Sequence, residues 1–381
     1  MYINFWYPMA TTEELTDQPM KVRALGQDFV VFRGENGEAA CVSNTCTHRG
    51  GALSGGKIKG NCIECPYHGW QFDAEGNVQR IPSLGKDAKI PGRTRIDAYP
   101  TEDKYGLVWS FLGDLPEEER PPIIDVQEWD QEGWRSTIQH YTVAANYERS
   151  VENGIDPAHN EFVHDTHGYS GEDEEYKINE MRIEERSEWG KGFWHTFQAP
   201  ALTKDAKFAD SRQEGGDLEA GTGFHGPNQV WTYIHLTDKA WIHQYLVERP
   251  LDDGNIHIYL ICMRNSFLDP EMDQNVKDRN QYVADQDVTI VTKLHPQITP
   301  DTNTKEFMTP SDKCILLYRE YLKDWDLKGW RIDQDEVELN SKKVAYAIPS
   351  PERRNVKGWV LDSIPLKVPA EAEKPKLKAA G

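Results

Sequence analysis

Cysteine is scarce, with six in 381 residues, and the six are unevenly placed. So thin a set makes no disulfide framework. It points to a reducing, cytoplasmic compartment, where a cysteine cluster binds metal. Long apolar runs are missing as well: none approaches the roughly 20 residues that cross a bilayer, so no membrane span is expected. Residues Met1 to Pro8 are aromatic and carry neither a basic n-region nor a cleavage site, so no secretory signal is read there. Basic residues are outnumbered, 43 Lys and Arg against 63 Asp and Glu, for a net charge of −20. Such a charge repels phosphates at long range, which excludes nucleic acid as a partner. Internal repeats are absent, and biased composition begins only in the tail, 368–381, rich in Ala, Pro, Lys and Glu and expected to be disordered. The length admits two domains with separate cores.

The first third reads as short strands. Phe29 to Phe32 and Ala39 to Val42 flank Asn36-Gly37, a hairpin signal, and further strands are expected near Trp70–Phe72 and Leu107–Phe111. Among them lie Cys46-Thr47-His48 and Cys65-Pro66-Tyr67-His68, each loop offering one thiolate and one imidazole. Gly50, Gly51, Gly55, Gly56 and Gly69 let both loops approach a bound group closely. Two cysteines on one iron and two histidines on the other make the Rieske [2Fe–2S] arrangement. A Cys₂His₂ zinc site uses the same donors, although zinc fingers usually group Cys with Cys and His with His, and each loop here is mixed. Cys41 and Cys62 fall outside the pattern and read as small buried hydrophobes. Arg49, Lys57, Lys59, Lys86, Lys89, Arg93 and Arg95 surround these loops, either as a solvated surface or as a docking patch for an acidic electron donor.

A polar, proline-punctuated connection from Gly113 to Pro122 marks a domain boundary. Beyond it, Asp156-Pro157 is a good helix start, with Asp as N-cap and His159 at the third position. Capping does not explain His159 and His164 so close behind. Five apart, they stand about 140° apart on an ideal helix and converge on one ion only if the helix bulges, bends or ends between them. A third ligand is sought by periodicity. Val276 to Leu294 reads as a helix in which Val283, Asp287, Ile290 and Leu294 form a core-facing stripe. Asp287 stands where an apolar residue belongs, and binding a cation offsets the cost of burying its charge. Asp285 points to a flank; Asp165 and His167 are reserve candidates. Gln229 to Leu236, Ala240 to Val247 and Asn255 to Met263 alternate as strands. Trp231, Tyr233, His235, Trp241, His243, Tyr245 and His257 share one phase, read as the lining of a pocket or a subunit interface. Segments 171–175 and 215–226 read as mobile surface loops, one of them a candidate lid.

Cys46-x-His48 and Cys65-x-x-His68, with His48-Arg49-Gly50 and His68-Gly69-Trp70 attached, resemble the Rieske domain of the Rieske non-haem iron oxygenases. Asn153-Gly-Ile-Asp156-Pro-Ala-His159 with His164 resembles that family's second metal motif. The phrase Val151 to Pro157 is similar to the homotrimeric single-subunit type, such as the carbazole dioxygenase terminal oxygenase. Asn146 fits too, whereas Tyr147 stands where many members carry Trp. The resemblance implies an α+β protein, with an N-terminal all-β Rieske [2Fe–2S] domain (1–115) and a C-terminal helix-on-antiparallel-sheet catalytic domain (116–367). It implies that Cys46, His48, Cys65 and His68 hold the cluster, and that His159, His164 and Asp287 hold a mononuclear Fe(II). Asp156 would bridge the two centres across a subunit interface. An oxygenase component is then expected, fed with NAD(P)H electrons by a reductase, alone or through a ferredoxin. With O₂ it would hydroxylate a hydrophobic, cyclic or aromatic substrate. Oxidative demethylation, or a non-aromatic substrate such as a sterol, stays open. So does, from another class, an electron-transfer or binding protein with no mononuclear iron.

Overall fold

The computed structural model describes residues 1–86, 88–165, 171–199, 216–300 and 302–369. Eleven short strands form the first third: β1 (Phe5–Thr11), β2 (Met20–Ala24), β3 (Gln27–Arg33), β4 (Ala39–Ser43), β5 (Lys57–Lys59), β6 (Cys62–Glu64), β7 (Gln71–Phe72), β8 (Val78–Arg80), β9 (Ala98–Tyr99), β10 (Thr101–Lys104) and β11 (Leu107–Leu112). They make small antiparallel sheets in the orders β2-β3-β4-β9, β5-β6-β7-β8 and β1-β11-β10. The expected hairpin is β3–β4, with Phe32 opposite Ala40 and Gly37 in its turn at φ +82°, a value glycine adopts without steric cost.

The second part is one seven-stranded antiparallel sheet with helices on one face. Its strands are β12 (Arg135–Val143), β13 (Arg182–Ser187), β14 (Gly190–Ala199), β15 (Gly216–His225), β16 (Gln229–His235), β17 (Trp241–Asp252) and β18 (Asn255–Arg264). They run in the order β12-β18-β17-β16-β15-β14-β13. The helices are α1 (Tyr147–Gly154), α2 (Asn160–Val163), α3 (Asp273–Val291) and α4 (Lys313–Leu327). Helix and antiparallel strand in this order make the α+β class expected. No helix among the described residues is long and apolar enough to cross a membrane.

Alternation gives the large sheet two faces. Trp231, Tyr233, Tyr245, Tyr259 and Met263 are buried against Trp109 and Phe111 of β11 and against Leu115, Ile123, Ile124 and Val126 of the connection. Trp231, Tyr233 and Tyr245 of the aromatic phase therefore belong to the inter-domain seam, and no member of that phase lines the cavity, which corrects the pocket reading. The connection is no free linker either, since its apolar residues are core. Thr232, Ile234, Gln244 and Leu246 take the opposite face, toward the helices and a cavity.

Segment 215–226, expected to be a loop, is mostly strand β15, paired on both edges; Gly215 lies outside the described residues. Its glycines make room for rings. A Cβ on Gly221 would lie 2.7 Å from the Trp194 ring, and one on Gly223 2.7 Å from the Trp231 ring. Composition that looked mobile is close packing of aromatics over backbone. Residues 370–381 of the tail also lie outside the described residues.

The C-terminal segment returns to clamp the first domain. Asp97, fully buried, accepts hydrogen bonds from Ser350 N (3.1 Å) and Oγ (2.9 Å) and from Arg353 Nε (2.6 Å) and Nη2 (2.7 Å). Tyr99 Oη donates to Ile348 O at 2.7 Å. Removing one partner of a buried pair leaves the other charge uncompensated. Arg353→Ala is expected to cost about 3–5 kcal/mol in denaturant unfolding; a loss under about 1 kcal/mol, typical of a surface pair, would contradict the clamp.

Candidate metal centres

The two Cys/His loops are built alike. Cys46 N donates to Gly51 O (2.9 Å) and Cys65 N to Trp70 O (2.8 Å), five residues on in each case. Gly50 N and Gly69 N return to Cys46 O (2.9 Å) and Cys65 O (3.0 Å), with φ of +70° and +68°. The loops thus share one turn and differ only in whether histidine stands two or three residues after cysteine. Both cysteines are buried, whereas His48 and His68 are exposed. The imidazole centroids lie 4.4 Å apart, and His48 stacks on Trp70 at 4.7 Å. A Cβ on Gly51 would press to 3.0 Å from Cys65 Sγ. Burial pushes the Cys46 thiol up to about 12, so a cation is needed to hold it as a thiolate at neutral pH. Among the described residues these four donors do not converge on a single-ion site, which counts against the zinc reading and suits a two-iron cluster.

The second centre depends on where a helix stops. Helix α1 starts on Asn146, whose Oδ1 accepts from Glu148 N at 3.0 Å, and it ends at Gly154. Asp156 was expected to be the next N-cap and is not: its Oδ1 accepts from Ala158 N at 2.7 Å in an Asx turn. Helix α2 begins after it with His159 as N-cap, lasts one turn, and has His164 as its C-cap at φ −107°, ψ 86°. The helix ends between the histidines, so a spacing that would splay them on a continuous helix brings their Nε2 atoms to 3.1 Å. Asp287 Oδ1 of α3 lies 3.5 Å from His159 Nε2 and 3.3 Å from His164 Nε2. That oxygen is buried with no hydrogen-bond partner. Edges of 3.1, 3.3 and 3.5 Å are what donors at about 2.0–2.2 Å from one ion subtend. The three residues fit a two-histidine, one-carboxylate site with open positions, and among the described residues they are the only group that fits a single ion.

The stripe that singled out Asp287 is turned from the one expected. Asn280, Ala284 and Val291 are buried, and Ile290 is 45% exposed; Asp287 lies on both stripes. Asp285 is exposed and accepts from Gln281 at 2.7 Å. Asp165, also exposed, accepts from Gln286 and Tyr282. His167 lies outside the described residues. Sequence reasoning missed Gln286 as a functional residue. Its Oε1 meets His164 Nδ1 at 3.1 Å and its Nε2 is held by Asp165, which fixes the ring's orientation. Its place beside Asp287 was the available signal. His235 and His243 are neighbours, with ring centroids 5.7 Å apart, but among the described residues His235, His243 and His257 form no metal-ligating group: they meet Glu219, Glu128 and the His140–Thr142 pair respectively.

Above the three donors opens a cavity of about 210 Å³ between the helices and the inner sheet face, with Phe193, Leu218, Ile234 and Leu246 among its walls. Segment 171–175 does not line it; Tyr176, Lys177, Ile178 and Asn179 do.

Cluster loops followed along the chain by a two-histidine, one-carboxylate cradle define a two-centre metalloprotein. Residues 5–100 match the Rieske [2Fe-2S] domain, and residues 143–327 match the vanillate O-demethylase oxygenase C-terminal domain. The chain therefore carries, in order, the two domains of the Rieske non-haem iron oxygenases, a family whose cofactors are a [2Fe–2S] cluster and a mononuclear iron. Cholesterol 7-desaturase of Hemicentrotus pulcherrimus is 34% identical over 51% of this chain and 42% of its own length. Vanillate O-demethylase oxygenase subunit of a Pseudomonas species is 32% identical over 42% of this chain and 44% of its own. The chain spans less than half the length of these curated relatives. In fold it is similar to NdmA of Pseudomonas putida CBB5 with caffeine (TM-score 0.72, 24% identity, 85% of this chain and 91% of that one). It is likewise similar to dicamba monooxygenase bound to dicamba (TM-score 0.69, 21% identity, 86% and 98%).

Charge balances around the second centre. Burial alone would lower the His159 pKa, but the Asp156 carboxylate, with Oδ2 3.6 Å from His159 Nδ1, and Asp287 raise it above its ordinary value. Burial alone would raise the Asp287 carboxyl; His164, His159 and Asn153 bring it below its ordinary value. In the metal-free protein, the His159 contribution is complete below about pH 6.5 and is lost as pH rises through the raised value. The Asp287 contribution is complete above about pH 4 and is lost as pH falls through the depressed one. A divalent cation must displace the His159 proton. Fe(II) affinity is therefore expected to fall about ten-fold per pH unit below the raised His159 value. Asp156→Asn should move that bend to lower pH in anaerobic titrations; an unmoved bend would remove Asp156 from the proton balance.

Proposed function

We propose that the chain is the terminal oxygenase component of a multicomponent system. It takes electrons from a reductase, directly or through a ferredoxin, and uses O₂ to hydroxylate a hydrophobic substrate. The observation that carries this is the convergence of Asp287 on His159 and His164 at the floor of an apolar cavity, in a chain that also holds a cluster cradle. An electron-transfer protein with the cluster alone has no use for that convergence.

Cys46, Cys65, His48 and His68 would hold the cluster, and His159, His164 and Asp287 the iron. When bound, the two groups supply one-electron transfer and reductive activation of O₂. The rest falls to the protein. Asp156, with Oδ2 3.6 Å from His159 Nδ1, would favour a proton on that nitrogen and would reach His68 in a second copy of this chain. Among the described residues of one chain, no hydrogen bond or ion pair joins Asp156 to His68. The surfaces beside each centre support a head-to-tail homotrimer: Tyr67 is 58% exposed next to His68, and Phe162 is 67% exposed on α2. The basic surface near the cluster is open at Arg49 and Lys59, while Arg93 and Arg95 are engaged with Gly358 O and Glu352. The former two suit an acidic donor. The domains would divide at 115/116, and a reducing, cytoplasmic setting suits six free cysteines. Demethylation is the same C–H hydroxylation at an O- or N-methyl group, and similarity to a demethylase subunit keeps it within this reading.

The purified protein should contain iron and acid-labile sulfide at about three to two; a one-to-one ratio would leave only the cluster and sink the oxygenase reading. Asp287→Ala should keep the Rieske spectrum, lose the mononuclear iron and drop turnover by at least the roughly 100-fold upper figure for losing a residue that only orients a metal ligand. Retained iron and activity would overturn that ligand assignment.

A further inference from the structure

The inner wall of the cavity is short of free polar groups. Thr222 Oγ1 bonds to Gly154 O (2.8 Å) and Trp231 O (2.9 Å) and also meets Thr232 Oγ1 at 3.2 Å. Gln244 Nε2 donates to Asn280 Oδ1 at 3.1 Å. Tyr176 and Asn179 are turned to backbone carbonyls. His195 of β14 differs. It lines the cavity, its Nδ1 is buried, and neither ring nitrogen has a hydrogen-bond partner among the described residues. Phe193 and Phe197 flank its ring at centroid distances of 5.6 and 5.3 Å, and Ala220 stands opposite on β15.

An unpaired buried imidazole is costly unless something fills its hydrogen bond. Burial brings its pKa down to about 4, so at neutral pH it presents one N–H donor and one lone pair and no charge. Lys177 and Arg279 also line the cavity and can meet an anion elsewhere on the molecule, whereas among the described residues no ion pair joins a cation to His195. A neutral oxygen suits it.

We propose that His195 is a specificity-determining residue: its unpaired imidazole receives a hydroxyl or ketone oxygen of an otherwise apolar substrate. This rests on the oxygenase reading, since it takes the cavity over the three donors as the substrate site. It narrows the substrate class from hydrophobic molecules in general to those carrying one neutral hydrogen-bonding oxygen away from the reacting carbon.

The test is equilibrium binding, without turnover, of tetralin, 2-tetralone and 2-tetralol to the iron-loaded protein. These probes share one bicyclic frame and differ in the oxygen. The ketone and alcohol should bind about ten-fold or more tighter than the hydrocarbon. His195→Phe, which keeps a ring between Phe193 and Phe197, should erase the preference while leaving tetralin affinity within about two-fold. His195→Gln, which keeps a donor and an acceptor, should restore part of it. A residue needed only for packing would change all three affinities together. Equal affinities in the unsubstituted protein, no measurable binding of the ketone, or a preference that survives His195→Phe each overturn the assignment. Iron content, measured on the same samples, tests the oxygenase reading separately.

Discussion

A buried carboxylate oxygen facing two imidazoles is the constraint from which the second domain follows. Asp287 sits on a long helix at a position that packing would give to an apolar side chain, and its Oδ1 has no hydrogen-bond partner. Burying such a group is costly unless it is paired or coordinates a cation. The neighbours therefore have to be arranged for it: α2 is cut to one turn so that both histidines can face the carboxylate, and α1 must hold the preceding turn still. That helix is tied from behind by Glu152, which accepts from Arg319 Nε (2.6 Å) and Nη2 (2.9 Å), with Glu306 accepting from Arg319 and Arg149. The ion-pair network serves position more than stability, because buried pairs roughly offset their own desolvation.

The donor set was legible in the sequence because each residue broke a local rule. Two mixed Cys/His loops, two histidines too close for capping, and an aspartate in an apolar stripe are all improbable as ordinary packing. Their geometry was legible only as a condition: the histidines could meet only if the helix stopped between them, and it does. The stripe was read about one side chain off, since Ile290, read as core-facing, is exposed, and Ala284, outside the expected stripe, is buried. Asp287 survived because it borders both faces. The Asp156 cap failed for a related reason. Asp before Pro starts an Asx turn as readily as a helix, and only the fold decides between them.

What the sequence concealed is which side of a strand faces what. Alternation separates two phases and says nothing about which one meets a helix, a second domain or a ligand. The phase carrying Trp231, Tyr233 and Tyr245 looked like a binding surface and is an inter-domain core. The plainer phase, with Thr232, Ile234 and Leu246, lines the cavity. Strand β15 was hidden by its glycines, which read as flexibility when taken alone and as clearance once Trp194 and Trp231 are seen lying over them.

The same aromatic seam bears on how electrons reach the second centre. The Trp109 and Phe111 contacts to the large sheet, together with the Asp97 and Tyr99 links to the C-terminal segment, join the two domains through extensive buried packing. An interface of this kind does not hinge, since separating it would expose large aromatic area at about 25 cal/mol per Å². The cluster loops are therefore not free to swing toward Asp156 in their own chain. On the proposed reading, His68 at the surface would be the electron outlet and Asp156, 3.6 Å from His159, the inlet, and a single chain whose domains do not hinge would not join them by motion. Pairing the outlet of one copy with the inlet of the next would resolve this, and it would make the exposed Tyr67 and Phe162 contact residues in the proposed trimer.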